Sequence, residues 1–239
     1  MSLLTLDGVS KSFGGLKALG ETTLEIPEHE FFGIIGPNGA GKTTLFSVLA
    51  GQLAPSSGQM MFDGVDITGW SADKTAAQGL VRTFQLMRPF ESMTVLENVT
   101  IASHNKFRSP HKARDHAAAV VERVGLDSYM YAMSGTLPTA GLKRLELARA
   151  LALEPRMILL DEVLAGLVPT ERAPIIDLLR SIHADGVTVM FVEHIMAAVM
   201  ALSERLLVMH EGRELALGLP EEVIANQQVI DAYLGEDYS

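Results

Sequence analysis

Gly36-Pro37-Asn38-Gly39-Ala40-Gly41-Lys42-Thr43 decides the fold. The octet follows a short apolar run, Phe31 to Ile35, and leads into Thr43 to Leu49, whose apolar residues recur at helical spacing. It matches G-x-x-x-x-G-K-[ST] in the context that pattern requires, a buried strand before and a helix after. Glycines let the backbone curl until successive N–H groups converge on phosphate oxygens, and a side chain at Gly39 or Gly41 would block that approach. The helix opening near Lys42 adds the partial positive charge of its N-terminus. Lys42 then reaches the β- and γ-phosphates of a bound polyphosphate, and the Thr43 hydroxyl reaches magnesium, with Thr44 beside it. A glycine-rich turn capping an ordinary helix is the competing reading. The full pattern between strand and helix weighs strongly against it.

Two further apolar runs, Met157–Leu160 and Val187–Val192, suit strands of a parallel sheet buried on both faces. The first empties into Asp161-Glu162. Beside a phosphate loop, this places Asp161 near the water shell of the metal and Glu162 where it can take the proton of the attacking water. A helix N-cap followed by a first-turn acid is the plainer alternative. The second run ends in Glu193-His194, and a histidine there can donate to a γ-phosphate oxygen or hold the nucleophilic water. Capping of the next helix explains it equally well. Gln85, in Arg82-Thr-Phe-Gln85, could reach metal or water, although a lone glutamine is weak ground for a site.

Upstream, Leu4, Leu6 and Val9, then Leu24 and Ile26, alternate around Gly14-Gly15, the pattern of an antiparallel hairpin. Met60 to Ile67 returns to strand character around Asp63-Gly64. From about Thr94 to Leu153 the period turns helical, most clearly over 117–124 and 145–153. The expected class is α/β: a mixed, mainly parallel core with an antiparallel N-terminal part and a helical insert. One domain over 1–239 is expected, with 1–85 and 151–239 as core and about 86–150 as the insert.

Composition narrows the function. With 48% hydrophobic residues the chain can bury a large core, yet no apolar run approaches the ~20 residues that cross a bilayer. The first residues lack a signal-peptide layout. The absence of cysteine excludes disulfides and thiolate metal sites. A net charge of −10 argues against broad binding to nucleic acid or anionic lipid. The one basic stretch, Lys106 to Arg114, contains a proline and reads as a solvated connector.

With these pieces in this order the chain resembles the ATP-binding cassette (ABC) ATPases over essentially its whole length. Within them it is most similar to the ATPase subunits of branched-chain and hydrophobic amino-acid importers. The closer match rests on Arg82-Thr-Phe-Gln85, Met93-Thr-Val-Leu-Glu-Asn98, Arg144 to Leu151, Ala165-Gly-Leu167, Val192-Glu-His194 and Val229 to Gly235. The resemblance implies ATP and magnesium as ligands, adenine stacked on Phe13, Gln85 as the sensor between γ-phosphate and helical insert, and His194 as the switch histidine. For Phe13, an ordinary hydrophobic strand residue stays open as an alternative. Two such subunits sandwich two ATPs, each between the phosphate loop of one and the signature segment of the other. Leu86 to Met93 corresponds to the segment that grips a permease, unless it is an ordinary buried loop. A transmembrane permease and, indirectly, a solute-binding protein follow as partners, with the chain peripheral on the cytoplasmic face of the inner membrane.

The pattern breaks at the signature, which in the family reads Leu-Ser-Gly-Gly-Gln. The run through Arg144 and Ala148-Arg149-Ala150-Leu151 sets the register, and the segment here is Leu137-Pro138-Thr139-Ala140-Gly141. Pro138 offers neither hydroxyl nor N–H, and Ala140 adds a methyl where backbone should approach phosphate. Losing one preorganised donor costs about a hundred- to a thousandfold in rate. The start of a helix there keeps its dipole, and Thr139 could replace the lost hydroxyl. Val163, Val168 and Ile195 also depart from the family's residues. Because a signature serves the partner's ATP, a heterodimer with one strong and one weak site is expected over a homodimer. A poorly hydrolysing, ATP-gated regulatory cassette is the alternative to a transport motor; a cassette of DNA repair or translation is disfavoured. The transported solute touches none of these residues.

Overall fold

The computed structural model describes residues 2–83 and 89–234. Two long strands, β1 (Ser2–Phe13) and β2 (Leu16–Pro27), form the expected hairpin about Gly14-Gly15, and β3 (Phe31–Ile35) leads through the glycine loop into α1 (Lys42–Leu49). A second hairpin, β4 (Ser57–Phe62) and β5 (Val65–Asp66), turns at Asp63-Gly64 and pairs antiparallel with β1. Then follow α2 (Ala72–Gln78) and the three-residue β6 (Leu80–Arg82). Three helices come next: α3 (Val95–Ser103), α4 (Pro110–Arg123) and α5 (Thr139–Leu151). The chain returns to the sheet with β7 (Met157–Asp161), α6 (Pro169–Ala184), β8 (Thr188–Val192) and α7 (Met196–Leu202). It finishes with β9 (Arg205–His210), β10 (Arg213–Gly218), α8 (Pro220–Ile224) and α9 (Gln227–Leu234).

The strands build a four-stranded antiparallel sheet, β2-β1-β4-β5, and a six-stranded sheet, β10-β9-β3-β8-β7-β6. In the larger sheet β9, β3, β8, β7 and β6 run parallel, and only β10 is antiparallel. Side chains alternate faces along a strand, and here both faces are buried. Phe31, Ile35, Ile158, Leu160, Val189 and Phe191 enter a core shared with the helices. Phe32, Ile34, Met157, Leu159, Met190 and Val192 enter a second core with α1 and the antiparallel sheet. This is why the runs at 157–160 and 187–192 are apolar without a gap.

The basic stretch at 106–114 differs from its reading as a connector: α4 begins inside it, at Pro110. Proline is at ease in the first helical turn, where its missing N–H has no intrahelical partner to lose. The charges of this stretch lie outward, while Ala113, Ala117, Val120 and Val121 form the buried stripe.

The segment before α3 is held by Asn98, which is fully buried. Its Oδ1 accepts from the Phe90 N–H at 2.9 Å, and its amide lies within bonding distance of the Phe90 and Thr94 carbonyls and of Ser134 Oγ. Asn98→Ala strands the Phe90 amide, and a loss of about 1–3 kcal/mol is expected in urea unfolding. A midpoint unchanged from wild type would contradict this account.

Candidate active site

The loop after β3 is shaped by backbone crowding. Gly36 has φ 152°, and a Cβ there would lie 2.2 Å from the Met209 carbonyl oxygen. Gly41, the left-handed N-cap of α1 at φ 97°, would place a Cβ 2.7 Å from the Ala18 carbonyl oxygen. At Gly39 a Cβ would meet nothing within 4 Å, so its φ of 80° alone demands glycine among the neighbouring protein atoms. Lys42 is 7% exposed, and its Nζ donates to the Gly36 and Pro37 carbonyls at 2.5 and 2.8 Å. Those carbonyls make the burial of an ammonium tolerable and hold it along the inner wall of the loop. Asn38 to Thr44 line a cleft of about 630 Å³, together with Leu16–Ala18 of the hairpin, Glu162 and Gly212. That is within the size range of small-ligand sites.

The alternation seen in the core also delivers the reactive groups. Asp161 continues the face of Met157 and Leu159, towards α1. It is 3% exposed, and its Oδ2 accepts from Arg82 Nη2 at 2.7 Å. Arg82 Nη1 donates to Ser47 Oγ and Gln52 Oε1, and its guanidinium lies 5.7 Å from the Phe46 ring. Asp161 is not among the residues lining the loop cleft; it stands behind it, tied to α1 through arginine.

Glu162 does face the cleft. Its backbone is left-handed, φ 52°, a conformation that costs a non-glycine residue of order 1 kcal/mol and clusters at functional sites. The Glu162 N–H is held by the Val192 carbonyl at 3.0 Å, and its Oε1 lies 2.6 Å from His194 Nε2. The structure therefore brings together the acid and the histidine that the sequence placed at the ends of separate strands. The N-cap of α7 is Ile195, so capping does not explain His194.

Phe13 ends β1 opposite Leu16, which lines the cleft, and is 47% exposed with Lys11 Nζ 5.2 Å from its ring. A hydrophobic strand residue serving the core would be covered. Leu137 to Gly141 do not line this cleft. Pro138 is the N-cap of α5, Thr139 and Pro138 are exposed, Ala140 is half-buried, and Leu137 and Gly141 are buried. Gln85 lies outside the described residues, as do 86–88 of the 86–93 segment and Gly235.

Three charged residues near the site were given no role by the sequence reading. Arg82 is one. Glu193, 2% exposed, continues the inward face of Phe191 and accepts from the Leu164 N–H at 2.7 Å. Burial pushes its carboxyl above the ordinary range, against the Leu164 and His194 amides and the nearby Lys143 charge, which lower it. Lys143, on α5, is the third. For Glu193 the sequence cue is an acid directly preceding the histidine, and its inward direction follows from strand parity.

Known proteins resemble this chain over nearly its whole length. A family model described as "ABC transporter" matches residues 19–165, and one described as "Branched-chain amino acid ATP-binding cassette transporter" matches 213–239. The high-affinity branched-chain amino acid transport ATP-binding protein BraF of Pseudomonas aeruginosa is 38% identical, over 98% of this chain and 98% of its own. Among solved structures, the ADP conformation of MJ1267, an ATP-binding cassette of an ABC transporter, matches with TM-score 0.90 and 30% identity, covering 98% of this chain and 99% of that one. The dimeric post-hydrolysis state of the cassette MJ0796, bound to ADP and Pi, matches with TM-score 0.81 and 26% identity, covering 91% and 98%. Loop, carboxylate, histidine and whole-chain likeness converge, and the chain belongs to the ATP-binding, ATP-hydrolysing subunits of ABC transporters.

Proposed function

We propose that this chain is the motor of an importer for branched-chain or related hydrophobic amino acids. ATP lies along residues 36–44 with its base against Phe13, and Glu162 accepts the proton of the attacking water. His194 positions that carboxylate and the γ-phosphate, and Gln85 links the site to the helices. One arrangement carries this reading: Glu162 opens onto the same cleft as the phosphate loop while His194 Nε2 sits 2.6 Å from its Oε1. Magnesium fits the residues present, since the exposed Thr43 hydroxyl in the cleft and the Asp161 carboxylate behind it are hard oxygen donors. When bound, it would neutralise phosphate charge. The Arg82 guanidinium keeps Asp161 oriented, and Lys42 supplies the fixed positive charge on the loop side.

The substrate and the importer role rest on BraF and the C-terminal family match. No helix among the described residues is long and apolar enough to cross a membrane; on the likeness to transporter subunits such as BraF we place the chain on the cytoplasmic face, attached through a permease. The insert over 86–150 offers the attachment. An apolar cleft between α3 and α5 is walled by Phe90, Ile101, Leu142 and Leu145, with Arg149 5.5 Å from the Phe90 ring. Co-purification should yield a permease and a solute-binding protein that takes up leucine, isoleucine or valine. A binding protein that prefers urea or an amide would sink the substrate assignment.

The segment 137–141 presents no hydroxyl at 138 and a methyl at 140, and we infer that it pairs in a heterodimer with a cassette carrying an intact signature. Mixing the chain with its cognate partner cassette is expected to raise ATPase activity about tenfold or more over this chain alone, because one site then gains the donors that the weakened signature lacks. No gain at saturating Mg-ATP would leave the homodimer.

A further inference from the structure

Lys143 lies at the start of the second turn of α5, four residues past Thr139, and it is 3% exposed. Lysine is almost never fully buried without a partner that needs it. Its Nζ donates to the backbone carbonyl of Glu162 at 3.1 Å. The same carbonyl accepts from the Ala165 N–H at 3.1 Å, and the Glu162 N–H is held by Val192. The peptide on each side of Glu162 is thus fixed, and one of the fixing groups comes from a different element, the helix that the signature-equivalent segment opens. Glu193 lies on the same side of the sheet. Its carboxylate takes the Leu164 N–H two residues beyond Glu162, and the Lys143 charge acts on it through space. A left-handed backbone at a non-glycine residue persists only where its surroundings over-determine it. Here the surroundings are a lysine and a carboxylate brought into the interior.

We propose that Lys143 is a positioning residue for ATP hydrolysis: it clamps the peptide of Glu162 and so makes the aim of the general base depend on the seating of α5. The inference rests on Glu162 being that base. It adds that a helix whose first turn, on that reading, meets the partner's nucleotide also holds this chain's own catalytic carboxylate in place. The clamp acts on the main chain, so its loss lets the Glu162 carboxylate drift while the phosphate loop, which Lys143 does not touch, stays intact. A misplacement of about 1 Å at a reacting group is enough to cost on the order of a hundredfold.

The test uses the assembled ATPase dimer and four variants of this chain: Lys143→Met, Lys143→Arg, Lys143→Met/Glu193→Gln and Glu162→Gln. Lys143→Met is expected to lower kcat by about tenfold or more with KM for Mg-ATP within about twofold, and Lys143→Arg to recover part of kcat. Lys143→Met also removes the positive charge that acts on buried Glu193 through space and leaves that carboxyl harder to accommodate, which lowers Tm. The double variant removes that burden, so it should regain Tm while kcat stays low. A purely structural lysine would instead recover kcat with Tm. That recovery, or a wild-type kcat in Lys143→Met beside an inactive Glu162→Gln, overturns the inference and spares the general base. A Glu162→Gln dimer that turns over at the wild-type rate overturns the base assignment and the inference together.

Discussion

Glu162→Gln should reduce steady-state ATP hydrolysis by about a hundred- to ten thousandfold, the range a positioned general base contributes. The side chain keeps its size and its place facing the loop cleft; what changes is that an amide cannot accept a proton. Nucleotide affinity should hold, because the groups assigned to the phosphates are those of residues 38–44, Lys42 among them, and the substitution leaves all of them in place. The 2.6 Å contact with His194 Nε2 becomes a neutral hydrogen bond. The expected result in single-turnover assays is therefore a dimer that closes on ATP and keeps it. Hydrolysis at the wild-type rate would mean that another group takes the proton.

Lys42→Ala should weaken Mg-ATP binding by about ten- to a hundredfold, the equivalent of losing one hydrogen bond to a charged group at about 1.5–3 kcal/mol. Two effects add in the same direction. The ammonium that would face the phosphates is gone, and the Gly36 and Pro37 carbonyls that it satisfies are left facing the anion. Fluorescent-nucleotide titration with and without magnesium reads this directly. Retained magnesium-dependent affinity would show that the octet is only a turn. Stability should move less than affinity, since deleting a buried ammonium also removes a desolvation cost.

Much of this site was legible because its strands are two-faced. Phe31 to Ile35, Met157 to Leu160 and Val187 to Val192 read as strands without a gap, and each leads to one piece of the chemistry. The Gly14-Gly15 hairpin was legible from alternation. Other elements carried no period to read. In α2 only Thr75 is buried, so there is no apolar stripe. β6 has three residues and owes its identity to its register with β7, Leu80 against Met157 through Arg82 against Leu159. The inward placement of the charged residues behind the site was not legible, for a different reason. Arg82, Lys143 and Glu193 are types that patterning assigns to the surface, and only the meeting of β6, β7, β8 and α5 puts them inside. The start of α4 was misread because its proline and its cations look like a connector until the stripe from Ala113 to Val121 finds a neighbour.

A wall with rooms on both sides leaves its bricks no freedom. Each apolar side chain longer than a hydrogen in β3, β7 and β8 is committed to one chamber or the other, so a change is easier to accommodate where the strand stops. The departures at Val163 and Val168 lie just past β7, Ile195 lies just past β8, and Pro138 stands at the threshold of α5. Changes at these margins can alter turnover or choice of companion without taking apart the masonry that folds the molecule.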